Sequence, residues 1–131
     1  MKQTTLLSLT AALASAYISY DDPINCQQNE HWVSALPYFS QNDVQPCSYA
    51  GTLPSNAAGT HNLFYWLYPS EKPDAPIAIF LNGGPGASST FANFLMNGPM
   101  RIEQTGPGVD DYLVTTTDAS WVDAATMIFI D

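Results

Sequence analysis

The chain has 131 residues, 46% of them hydrophobic, and sets three Lys and Arg against twelve Asp and Glu for a formal charge of −9. Its length lies within the range of one domain. So acidic a surface repels phosphate, which argues against nucleic acid and anionic lipid as partners. At the amino terminus, Met1-Lys2 supplies a positive start, Leu6 to Leu13 a short apolar centre, and Ala14-Ser15-Ala16 a small-x-small cleavage site. That is the layout of a secretory signal peptide over residues 1–16, with the mature chain, 17–131, beginning at Tyr17. The apolar centre falls short of the roughly 20 residues a membrane span needs, and no later segment reaches that length. We therefore expect no membrane span and a product of the secretory pathway, secreted or held in a vacuolar or lysosomal lumen. Without the leader, two cations, Lys72 and Arg101, face twelve acids, a formal charge of −10. Such a surface suits an acidic compartment, where protonation relieves self-repulsion.

Between the leader and Val33 the sequence is polar and irregular and reads as an extended arm or, in part, a propeptide. Cys26 and Cys47 are the only cysteines. In an oxidising compartment they either bridge each other, closing a loop of about twenty residues worth roughly 3 kcal/mol, or pair with cysteines elsewhere. There is no Cys-x-x-Cys and no His/Cys cluster, so neither a metal nor a cofactor is expected. Asn62 to Tyr68 and Ile77 to Leu81 are the clearest strands, rich in aromatic and β-branched residues. The polar Pro69–Asp74 turn between them predicts an antiparallel pair. From Ser88 the chain turns helical, with Phe91, Phe94 and Leu95 at i, i+3 and i+4 as its apolar face, and Gly98-Pro99 stops it. Gly106–Asp111 is loop, Leu113 to Thr117 an edge strand, and Thr126 to Ile130 a further buried strand. On this reading Ile128, Phe129 and Ile130 lie at an open edge, an aggregation hazard.

The chemistry concentrates where Ile77-Ala78-Ile79-Phe80-Leu81 runs into Asn82-Gly83-Gly84-Pro85-Gly86-Ala87-Ser88-Ser89. The uniformly apolar run predicts a strand covered on both faces. Gly83, Gly84 and Gly86 let a ligand approach the main chain closely. Two free amides on such a turn stabilise an oxyanion. Pro85 donates nothing, so those amides belong to its neighbours.

Leu81 through Ser89, followed by Asn97-Gly98-Pro99, resembles the serine carboxypeptidase family at the family's spacing. Tyr49-Ala50-Gly51 with His61–Leu67 is similar to its Tyr-Ser-Gly and Leu-Phe-Tyr-Trp hairpin. Ser120-Trp121 with Ala124–Asp131 is similar to its Ser-Trp-Asn and Asn-Val-Leu-Phe-Leu-Asp stretch. The resemblance covers Val33 to Asp131. It implies the first part of an α/β-hydrolase fold, comprising the amino-terminal strands of the central sheet, the oxyanion loop and one short helix. It also implies hydrolysis of peptides that carry a free carboxy-terminal carboxylate. The Gly84 N–H matches the oxyanion-hole donor. Asn82 and Gly83 match positions that hydrogen-bond the substrate carboxylate, and Phe80 stands at an aromatic wall that is commonly Trp. Met96 replaces a family Glu and offers only a weak sulfur acceptor.

In this fold the nucleophile lies on a Gly-x-Ser-x-Gly elbow, followed by Asp and then His. The sequence contains no Gly-x-Ser-x-Gly, and His31 and His61 both precede the glycine loop. The expectation is an amino-terminal portion that is inactive alone. An acyltransferase-type relative and a non-catalytic carboxypeptidase-like fragment are the alternatives. A proline iminopeptidase, whose similar loop usually follows His, is disfavoured by Asn82.

Overall fold

The computed structural model describes residues 26–131. The signal-peptide reading of residues 1–16 and the first part of the arm lie outside the described residues. Six strands, one α-helix and one 3₁₀ turn follow in the order β1 (Tyr49–Pro54), β2 (Asn62–Tyr68), β3 (Ile77–Phe80), α1 (Ser89–Leu95), β4 (Met100–Gln104), β5 (Tyr112–Thr116), the 3₁₀ turn Trp121–Asp123 and β6 (Thr126–Ile130). They make a four-stranded sheet in the order β1-β2-β6-β3 and a separate β4-β5 ribbon. The architecture is a mixed sheet with few helices, of α/β type.

The β1-β2 hairpin pairs Tyr49 with Leu67 and Pro54 with Asn62. The expected antiparallel pairing of β2 with β3 does not occur. β6 inserts between them, antiparallel to β2 and parallel to β3, with Trp66 opposite Phe129 and Ala78 opposite Met127. The turn at Pro69–Asp74 therefore carries the chain past the position of a strand still to come. This also corrects the open-edge expectation for Ile128–Ile130. β6 is interior and β3 is the edge.

Residues alternate across a sheet, so Trp66, Tyr68, Ala78, Phe80, Met127 and Phe129 share one face. That face carries the core, with Tyr68, Met127 and Phe129 at most 1% exposed, joined by Ala92 and Met100. Tyr68 stands edge-on to Phe129 with ring centroids 6.1 Å apart, and Phe80 lies 5.8 Å from Phe129. β3 is not covered on both faces as its apolar run suggested. Ile77, Ile79 and Leu81 are 70%, 61% and 69% exposed, because no described element packs over them.

The helix also differs from expectation. Phe91 and Leu95 are exposed, whereas Ser89, Ala92 and Asn93, at i, i+3 and i+4, are buried. Small side chains at 89 and 92 let the short helix approach the sheet closely. Asn93 then donates to the Tyr68 hydroxyl at 2.9 Å, and Phe94 alone of the three predicted residues packs, edge-on to Trp66. The helix stops where the amides of Met96, Asn97 and Gly98 converge on the Ala92 carbonyl. Arg101 reaches back to the carbonyls of Met96 (2.8 Å), Gly98 (3.0 Å), Met100 (2.8 Å) and Ala119 (3.2 Å).

β5 pairs with β4, an element the sequence pattern did not single out. Cys26 and Cys47 form a disulfide with a Cα–Cα distance of 5.5 Å, Trp32 bridges Tyr49, and Phe39 bridges Val114. Among the described residues no helix is long and apolar enough to cross a membrane.

Candidate active site

β3 and β6 are parallel neighbours, so their carboxyl ends, Phe80-Leu81 and Ile130-Asp131, emerge side by side. In open α/β sheets this is the edge where ligands bind. Here the glycine loop leaves β3, turns back, and re-enters the fold at α1. An open cleft of about 510 Å³ lies along it, lined by Leu81, Asn82, Gly86, Ala87, Ser88, Ser89, Ile130 and Asp131.

The loop is held by its two feet. The Asn82 N–H donates to Ser89 Oγ at 3.1 Å, and Asn82 Nδ2 donates to the Ser88 carbonyl at 2.9 Å. Asn82 Oδ1 accepts from Gly83 N–H at 2.9 Å, and Ala87 N–H donates to the Gly83 carbonyl at 3.1 Å. Between the feet, Gly84 and Gly86 have φ of +130° and +87°, a region L side chains rarely adopt. A Cβ on Gly84 would meet Ala87 N at 3.2 Å. The Gly84–Pro85 peptide is cis. Among the described residues the Gly84 N–H has no hydrogen-bond acceptor, and the residue is exposed. It is a free backbone donor on the loop that borders the cleft, although Gly84 itself does not line it.

The remaining candidates lie differently from one another. Asn82 lines the cleft and keeps one Nδ2 hydrogen uncommitted, but its oxygen already holds the Gly83 N–H. Phe80 turns its ring to the core, beside Phe129 and Trp121, and does not line the cleft. Met96 is half-exposed beyond the carboxyl end of α1, about 10 Å of helix away from the loop. His61 bonds Asn56 and Thr60 at the hairpin turn, and His31 lies beside Glu30 and Tyr65. Neither histidine is in the cleft. Among the described residues no three His, Cys, Asp or Glu side chains gather to hold a metal.

The sequence reading passed over the residues that organise the site. Asp131 accepts from Ser88 Oγ (2.7 Å), Thr90 Oγ1 (2.7 Å), Thr90 N–H (3.3 Å) and, most closely, Ser89 N–H. Partial desolvation pulls its pKa up, but the bonds from Ser88, Thr90 and Ser89 outweigh that and hold the carboxyl below its ordinary value. The Ser89 hydroxyl ties the two strand ends together, accepting from Asn82 N–H and donating to the Ile130 carbonyl at 2.5 Å. Two signals in the sequence pointed this way. A Ser precedes a helical pattern, as at an N-cap, and an acid ends an apolar strand.

Strand, glycine turn and capped helix, leaving a free amide near the carboxyl end of a parallel pair, define an α/β-type chain with a glycine loop at its strand ends. The family model for serine carboxypeptidase matches residues 37–131, and the chain belongs to that family. It is 35% identical over 108 residues to serine carboxypeptidase S10 family member 2 of Dictyostelium discoideum, covering 79% of this chain and 18% of that protein. It is 40% identical over 86 residues to the carboxypeptidase Y homolog of Arthroderma benhamiae, covering 64% and 16%. Vitellogenic carboxypeptidase of Aedes aegypti is 38% identical over 86 residues, covering 64% and 17%. The chain thus spans less than a fifth of the length of each of these relatives.

Proposed function

We propose that this chain forms the oxyanion side of a serine-type carboxypeptidase active site, on the opening strands of an α/β-hydrolase fold. The observation that carries the reading is the Gly84 N–H, exposed and without a protein acceptor on a backbone only glycine adopts readily. Such a donor stabilises the oxyanion that forms when a peptide carbonyl is attacked. Its second donor would be the amide that follows a nucleophilic serine, and the sequence holds no Gly-x-Ser-x-Gly elbow to supply one. The substrate class is a peptide with a free terminal carboxylate, received by the uncommitted Nδ2 hydrogen of Asn82 together with the glycine loop. Gly83 N–H joins them only after it leaves Asn82 Oδ1. Met96 contributes a weak sulfur acceptor at most. Export through a cleaved leader at residues 1–16 agrees with the Cys26–Cys47 disulfide, which belongs to oxidising compartments.

Without a nucleophile, binding and one oxyanion donor are all that remain. The purified 131-residue chain is expected to release no amino acid from a blocked dipeptide at acid pH and to resist labelling by a fluorophosphonate probe. Stoichiometric labelling of any serine would overturn this. In any longer form that turns over peptides, Gly84→Pro deletes the donor and is expected to lower turnover about 100- to 1,000-fold. Normal folding with near wild-type turnover would remove Gly84 from the oxyanion hole.

A further inference from the structure

The loop that offers Gly84 has few anchors of its own. Its two feet rest on Ser88 and Ser89 through Asn82, and its one internal main-chain bond, Ala87 N–H to Gly83 O, spans only four residues. Its position relative to the sheet is therefore set by whatever holds Ser88 and Ser89.

Asp131 holds them from the end of β6. Its main chain exchanges two hydrogen bonds with Phe64 of β2, each 2.9 Å, which extends the ladder and fixes the Cα. Its carboxylate spans the gap between strand end and helix start. One oxygen takes the Ser89 N–H, and the other takes the Ser88 hydroxyl, the Thr90 hydroxyl and the Thr90 N–H. Hydrogen bonds to a charged acceptor are about twice as strong as neutral ones, and four of them converge on one short side chain. The neighbouring Ser89 hydroxyl, bonded to Asn82 N–H and Ile130 O, closes the same junction from the buried side.

We propose that Asp131 is a positioning residue for the oxyanion loop, its carboxylate clamping Ser88–Thr90 so that the Asn82–Gly86 backbone stands at a fixed height over the strand ends with Gly84 N–H left free of any protein acceptor. The clamp has a second consequence for ligand choice. The first-turn amides of Ser89 and Thr90 are taken by Asp131 and, for Thr90, also by the Ser88 hydroxyl, so an incoming carboxylate finds no free donor there and meets a negative charge. It is steered to Asn82 and the glycine amides instead. This inference rests on the reading of the loop given under Proposed function, but its structural half stands independently of that reading.

The test is heteronuclear NMR of the full 131-residue chain with uniform ¹⁵N labelling. Asp131→Asn is expected to shift the amide resonances of Gly83, Gly84, Gly86 and Ala87 and to raise hydrogen exchange at Ser89 and Thr90 at least tenfold. Ala50 and Trp66, in the β1-β2 hairpin, should be unmoved, which a general loosening of the fold would not produce. Asp131→Glu, which keeps the charge, should restore the loop resonances part of the way. Unmoved loop resonances in Asp131→Asn overturn the proposal. Should Asp131→Asn fail to fold, Ser88→Ala and Thr90→Val each remove one arm of the clamp and leave the carboxylate. Each is then expected to shift the same loop amides, and the absence of a shift in both overturns the proposal equally. Titration of the wild-type chain with N-acetyl-leucine separates the two readings. An Asn82 side-chain amide and a Gly83 N–H that both fail to respond to this probe count against the carboxylate-binding function, whereas the clamp is judged only by the variants.

Discussion

Ser88 and Ser89 are adjacent, chemically identical and set at the same helix start, yet they should respond very differently to the same substitution. Ser89 is 1% exposed. Its hydroxyl accepts from the Asn82 amide and donates to the Ile130 carbonyl, so Ser89→Ala strips partners from two main-chain groups at once. A net hydrogen bond contributes about 1 kcal/mol, and a buried group left unpaired costs about 1–3 kcal/mol. Water at the cleft rim reaches Asn82 in part, which puts the expected cost of Ser89→Ala near 2–3 kcal/mol. Ser88 is exposed. As the N-cap it accepts from Thr90 N–H at 3.0 Å and donates to Asp131 at 2.7 Å, but water can replace both partners at this exposed position, so its replacement by Ala should cost about 1 kcal/mol. Urea unfolding followed by tryptophan fluorescence measures both. With a slope of about 2 kcal/mol/M for a chain of this size, Ser89→Ala should lower the midpoint by about 1 M and Ser88→Ala by about half that, with unchanged slopes. If Ser89→Ala is no more costly than Ser88→Ala, the Ser89 hydroxyl does not join the strand ends and the account of the loop's anchoring fails.

Two further predictions concern the frame around the loop. Tyr68→Phe removes the acceptor of Asn93 Nδ2 in a site where both residues are wholly buried. It should cost about 1–3 kcal/mol by thermal or urea denaturation, with part recovered when Asn93→Leu is added, since the double variant strands no polar group. Asp131 should make stability depend on pH in one direction. Its folded pKa lies below the ordinary carboxyl value, so its contribution is fully present above that value and is lost as pH falls through the lower folded one. The stability gap between wild type and Asp131→Asn, measured by denaturation from pH 7 downward, should therefore hold to mild acidity and close at strong acidity. A gap that widens on acidification would reverse the assignment.

What the sequence determined by itself is local or carried by residue type. The aromatic and β-branched runs at Asn62–Tyr68, Ile77–Phe80 and Thr126–Ile130 are strands because those side chains suit a pleated surface. The glycines at 84 and 86 mark positive φ because side chains are disfavoured there. Ser88 is followed by a helix because its hydroxyl satisfies an amide at the first turn. The family was legible for the same reason, since its glycine-loop motif is a contiguous string. Tertiary structure decided which strand lies beside which. Periodicity reports that a strand has an apolar face but not its neighbour, so the insertion of β6 between β2 and β3 could not be read from the short turn joining those two. It also decided the buried face of α1. By hydropathy Phe91 and Leu95 outrank Ser89 and Asn93, but close approach to the sheet selects small residues and a partner for the Tyr68 hydroxyl. The clamp could not be assembled from its separate sequence signals, because Asp131 and Ser88–Thr90 are more than forty residues apart. Only the parallel pairing of β3 with β6 brings the end of one strand to the helix that follows the other.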